Sequence, residues 1–186
     1  LVGQQLEDAI LAWQKAHLNP AALSRIRLLG ANAAAANSDT ITATLPNAGV
    51  VTLESGPSGV IGKCVIEDFA PKFLKNPAVL WLSQSGEKVG IDLASRLKLK
   101  IDPSKTLPDV ILVDLGTKTD GSDMLFVFIE IVASDGPVNS VRKKKLTEIA
   151  VEAGFSPEHL AFVTAFQDRS APAFKKAMSE LAWGTY

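Results

Sequence analysis

The sequence predicts an α/β domain, a mixed sheet flanked by helices, preceded by a small N-terminal helical segment. Val110 to Leu115 is apolar at nearly every position, and Met124 to Val132 is apolar everywhere except Glu130. Runs of that kind are strands covered on both faces. Around them helical spacing recurs: Leu6, Ile10 and Trp13 mark one amphipathic stripe, and Val89, Leu93 and Leu97 mark another.

Taken in order, the first stripe is a helix that Asn19-Pro20 ends, and a second helix runs through Ile26 and Leu29. A compositionally biased stretch closes at Asn37 to Asp39, dividing a helical segment, residues 1–39, from the domain proper, residues 40–186. Thr40 to Leu45 and Val50 to Leu53 flank Pro46-Asn-Ala-Gly49 as a hairpin. A helix from about Val60 to Phe73, stopped near Pro71, turns Val60, Cys64 and Phe69 toward the core. Val79 to Leu82 is a short strand, Ser83 to Gly86 a turn, and the helix of Val89, Leu93 and Leu97 leads on to Leu107. Beyond the two long strands, Gly136-Pro137 opens a helix to about Ala153, which Gly154 ends. Leu160 to Phe166 is a strand and Ala173 to Trp183 the last helix.

Between the two long strands lies Gly116-Thr-Lys-Thr-Asp-Gly-Ser-Asp123, rich in turn residues and too short for a crossover helix. The strands therefore pair as an antiparallel hairpin. With Leu115 facing Met124, counting outward sets Asp109 opposite Glu130, on one face and with side chains about 5 Å apart or less. Two carboxylates that close in an apolar sheet repel each other and lose hydration, unless a cation bridges them or one keeps its proton. A hard divalent metal is the simplest occupant. The competing readings are a buried ion pair between Glu130 and an arginine or lysine, and an exposed turn aspartate at Asp109.

The 186 residues, 47% of them hydrophobic, suit one domain with a small appendage and a real core. The formal charge of −1 argues against an overtly basic coat. Its distribution is uneven, for acids gather between residues 61 and 136 while Arg142, Lys143, Lys144 and Lys145 form a cluster just beyond. Cys64 is the single cysteine, which excludes an intrachain disulfide and a cysteine-based zinc site. No stretch is apolar for long enough to span a bilayer, and no signal segment opens the sequence, so the reading is cytoplasmic with no membrane partner.

A Pro-Asp pair, a hairpin and a glutamate two residues before the strand's end together resemble the PD-(D/E)XK nuclease superfamily. Leu107-Pro-Asp-Val-Ile-Leu, Phe128-Ile-Glu-Ile-Val-Ala-Ser-Asp-Gly-Pro-Val138, Phe162-Val-Thr-Ala-Phe-Gln-Asp-Arg169 and Leu181-Ala-Trp-Gly-Thr-Tyr186 are similar, block after block, to the BsuBI/PstI-type restriction endonuclease domain. The likeness runs from about Val50 to Tyr186, including Gly56 to Phe73 at its start. Leu1 in place of Met, with Tyr186 inside a family block, reads as a piece of a longer protein.

The resemblance implies a PD-(D/E)XK nuclease-like core and a magnesium-dependent type II restriction endonuclease. Such an enzyme cuts duplex DNA at a short palindrome, and a two-fold site invites a homodimer. Asp109 and Glu130 would hold Mg2+, with the backbone carbonyl of Ile131 as a further oxygen and Glu67, on the helix before the sheet, as another acid. The superfamily pattern wants a lysine where this sequence has Val132. Lys88 is the first candidate to replace it and Lys63 the second. Arg142, Lys143, Lys144 and Lys145 are the expected phosphate contacts, or a solvated charge run. A catalytically silent DNA-binding or assembly module with the same fold is the alternative that Val132 and the neutral charge suggest, and a different carboxylate metalloenzyme is a third.

Overall fold

A computed structural model describes residues 3–17, 40–47, 49–83, 107–133 and 136–186. Lys88, the helix of Val89, Leu93 and Leu97, the segment through Ile26 and Leu29 and the boundary at Asn37 to Asp39 lie outside the described residues.

Helix α1 (Gln4–His17) carries the expected stripe, and Leu6, Ile10 and Trp13 stand 43–56% exposed. Strands β1 (Thr40–Thr44) and β2 (Val50–Glu54) form the predicted hairpin, with Thr42 opposite Thr52. Alternation buries Ile41, Ala43, Val51 and Leu53, as one covered face requires.

Helix α2 is continuous in three parts: α-helical Pro57–Cys64, a π-helical stretch Val65–Phe69, and α-helical Ala70–Phe73. The wide turn shifts the phase of the helix. Ile61, Val65, Ile66 and Ala70 are buried, whereas Val60, Cys64 and Phe69, expected on the core face, are only half-buried. The π stretch also ends two residues before Pro71, so the proline sits in the first turn of the last segment and the helix runs past it.

Strands β3 (Pro77–Leu82), β4 (Val110–Asp114), β5 (Leu125–Val132) and β6 (Leu160–Phe166) make one sheet in the order β3-β4-β5-β6. The first three are antiparallel neighbours and β6 runs parallel to β5. In β4–β5, Val110 faces Ile129 and Asp114 faces Leu125, the register that Leu115 opposite Met124 demands. Helix α3 (Ser140–Glu152) connects β5 to β6, and α4 (Pro172–Ala177) follows.

Two apolar cores cover the two faces. On one, β1, β2 and α2 pack against Val79, Leu112, Val127 and Ile129. On the other, Leu146 and Ala150 of α3 pack against Ile111, Val113, Phe126, Phe128 and Phe162. A bulge in β3 between Val79 and Trp81 sends Trp81 to the α3 side with Leu80. From there the Trp81 indole N–H donates to the Pro108 carbonyl at 2.9 Å, fixing the entry to β4.

Two helix limits differ from expectation for one reason. Val138 is fully buried; its N–H donates to Thr164 Oγ1 at 3.2 Å and its carbonyl accepts from Ala182 N at 2.9 Å. Those bonds, with the Asn139 N–H donating to the Pro137 carbonyl at 2.8 Å, hold residues 137 to 139 in a tight non-helical turn, so α3 starts after Asn139, whose side chain accepts from Arg142 N at 2.8 Å as a cap. They also draw Ala182 out of helical conformation, so α4 stops at Ala177 instead of reaching Trp183.

Candidate active site at the mouth of the β4–β5 hairpin

Asp109 lies one residue before β4, and continuing the β4–β5 register places it opposite Glu130. Proline at 108 keeps the approach extended, and the turn at 109 aims the carboxylate across the sheet. Asp109 Oδ2 accepts the Ile131 N–H at 2.7 Å, and Oδ1 accepts the Ser83 hydroxyl at 3.1 Å. The Asp109 carbonyl also takes the Ser83 N–H at 2.8 Å. The acid is thus bonded to strands on both sides of its own.

Glu130 is 8% exposed on the α3 side of the sheet. Its Oε1 accepts Arg142 Nε at 2.5 Å. Burial pushes its pKa up to about 7; Arg142 opposes that rise and the neighbouring Asp109 carboxylate adds to it. Arg142 also donates through Nη2 to the Leu107 carbonyl at 2.7 Å.

The donor set, two carboxylates on adjacent strands, fits a hard divalent cation that keeps most of its waters. Ile131 meets Asp109 through its N–H, and its carbonyl stands in the same strand segment. Among the described residues, no three His, Cys, Asp or Glu side chains gather closely enough to hold a metal ion. Glu67 therefore does not join the pair. It sits on α2, which covers the opposite face of the sheet, where Oε1 accepts the Thr44 N–H at 2.8 Å and Oε2 lies 3.7 Å from Lys63 Nζ. Lys63 is taken up in the same pair.

The basic cluster is divided. Arg142 turns inward, its side chain 15% exposed, and Lys143 Nζ donates to the Trp183 and Gly184 carbonyls at 2.7 and 3.2 Å. Lys144 and Lys145 are exposed. Val132, 3% exposed, lines a cavity of about 140 Å³ with Lys176 and Glu180. A larger cavity, about 610 Å³, lies between α3 and Trp183, with neither acid of the pair in its lining.

Reading the sequence missed the inward course of Arg142. The signal was there: position 142 is four residues before Leu146 and eight before Ala150, which puts it on the buried stripe of α3.

Residues 41–186 match the BsuBI/PstI restriction endonuclease domain. The type II restriction enzyme BsuBI of Bacillus subtilis is 28% identical over 138 residues, 73% of this chain and 40% of that protein. The structure of the SdaI restriction endonuclease superposes with a TM-score of 0.65 at 26% identity, covering 87% of this chain and 47% of that one. The chain spans less than half the length of either relative.

Proposed function

Because the chain belongs to the BsuBI/PstI restriction endonuclease domain family, we propose that it hydrolyses phosphodiester bonds in duplex DNA at a short palindromic site, as a cytoplasmic, magnesium-dependent homodimer. The observation that carries this reading is the opposition of Asp109 and Glu130 at the hairpin's mouth, inside the family's domain.

Asp109 and Glu130 are the residues that would hold the cation. A divalent metal bound there supplies a Lewis acid and a water of lowered pKa. The chain's own part is rigid placement. Ser83 and Ile131 fix the Asp109 carboxylate, Arg142 fixes that of Glu130, and the two acids stand just before β4 and within β5, whose central residues are buried. A cation held at this rim would meet carboxylates already oriented by hydrogen bonds. Exposed Lys144 and Lys145, in the second turn of α3, are the candidate contacts to the DNA backbone. The silent-module alternative rested on Val132 and the neutral charge, and on the first of these Arg142 supplies a cation beside Glu130 without a lysine there.

Cleavage of plasmid DNA with magnesium, with EDTA, and by Asp109→Ala and Glu130→Ala tests the reading. Discrete fragments that need magnesium and both acids are expected. Fragments independent of either acid would refute it.

A further inference from the structure

The acid pair is carried by two separate pieces of chain, the Leu107 to Asp109 approach and the end of β5, and one side chain touches both. Arg142 Nε donates to Glu130 Oε1 at 2.5 Å, while Nη2 of the same guanidinium donates to the Leu107 carbonyl at 2.7 Å, two residues before Asp109. Its backbone N–H is held in turn by the Asn139 cap at 2.8 Å. Backbone and head group are both anchored, whereas the neighbours Lys144 and Lys145 are exposed.

We propose that Arg142 is a positioning residue that sets the distance between the Asp109 and Glu130 carboxylates, resting on the reading of those acids as the metal-holding pair. The reason is geometric. A guanidinium is a planar fork whose N–H groups diverge at fixed angles, so it bonds two oxygens at once and fixes their separation. An ammonium on a flexible stem neutralises charge but transmits no such constraint. Val132 cannot serve, because its side chain is apolar and buried. Arg142 approaches from α3, on the same face of the sheet as Glu130, and ties the helix, the strand and the Pro-Asp approach into one frame.

The experiment uses the full chain as wild type, Asp109→Ala, Arg142→Ala and Arg142→Lys. Mn2+ alone is titrated by calorimetry, and kcat and KM are measured on supercoiled plasmid with magnesium. Partners that orient metal-holding carboxylates typically contribute 10–100-fold, so Arg142→Ala is expected to bind Mn2+ about 10–100-fold more weakly and to lose a similar factor in kcat. KM for DNA should stay within about threefold, the pattern of a group that does not bind substrate. Arg142→Lys, which keeps the charge, should restore little, and it carries the test if the alanine variant does not fold.

Wild-type Mn2+ affinity and kcat in Arg142→Ala would overturn the inference, as would full recovery of both by Arg142→Lys, or a raised KM with kcat intact. A loss in Asp109→Ala with none in Arg142→Ala would defeat this inference alone. Wild-type behaviour of Asp109→Ala, or a wild type that takes up no Mn2+, would defeat the reading of the pair and the inference with it.

Discussion

Asp109 Oδ2 accepts the backbone N–H of Ile131 at 2.7 Å, so the acid that precedes β4 is bonded to the residue next to the acid in β5. The two carboxylates are therefore coupled through a peptide unit, and each has a separate loss. Asp109→Asn and Glu130→Gln keep most of the shape and remove one charge. Each is expected to lower magnesium-dependent cleavage roughly a thousandfold, the order of several kcal/mol of charge stabilisation at a transferring phosphoryl group. Single-turnover rates on a plasmid would measure it, and a drop below tenfold in either would remove that residue from the chemistry.

Lys144 and Lys145 should behave differently from Arg142. If each neutralises one phosphate, replacing both with alanine lowers the slope of log K against log salt by about 1.8 and leaves kcat unchanged. Fluorescence anisotropy across a salt series, with Ca2+ in place of magnesium, gives the slope directly. An unchanged slope would return both lysines to the solvated face.

Asp114 closes the other end of β4. Its Oδ1 accepts from Asn76 N and Gly116 N and its Oδ2 from Lys75 N, at 2.9 to 3.0 Å. Removing it leaves three backbone donors without this partner, so Asp114→Ala should cost roughly 2–4 kcal/mol in urea unfolding. A midpoint shift worth less than about 1 kcal/mol would show that water replaces those bonds at little cost.

The same carboxylate gives a pH dependence. Burial works against its ionisation, but the N–H groups of Lys75, Asn76 and Gly116, with the Lys75 charge, hold its pKa below the ordinary 3.8. With the folded value below the unfolded one, its contribution is fully present above pH 3.8 and is lost as pH falls through the folded value. The wild type should therefore lose more stability between pH 5 and about 2.5 than Asp114→Asn does, by urea titration at each pH. Parallel curves would contradict it.

Gly59 lies where α2 crosses β2, and a Cβ there would run into the Glu54 carbonyl oxygen and press on Ile41 Cδ1. A backbone atom cannot move aside cheaply, so Gly59→Ala, a change that favours helix elsewhere, should destabilise by about 1–3 kcal/mol. Thermal melting checks the sign, and a stabilised variant would mean that the hairpin can shift without loss.

The pairing of Leu115 with Met124, and so of Asp109 with Glu130, followed from a short turn between two apolar runs. Once a loop of that length joins antiparallel strands, few registers remain, and the apolar pattern selects among them. Strand β6 was legible to the residue because its boundaries are local, a Pro-Glu-His turn before it and polar residues after. Glu67 was expected beside the pair from the resemblance, and a resemblance in motif blocks does not state which side of the sheet the helix bearing it will cover.

The order of the described strands and helices and the acidic hairpin were thus legible in the sequence through periodicity and turn chemistry, and the family through the resemblance of its motif blocks. Tertiary structure decided where α3 begins, where α4 ends and what Arg142 holds. Val138 gives its backbone bonds to Thr164 and Ala182, and Arg142 gives its side-chain bonds to Glu130 and Leu107. Each of those partners lies 12 to 44 residues away in the chain. Buried polar groups must find partners wherever the packed chain offers them, and no local pattern states in advance which distant group that will be.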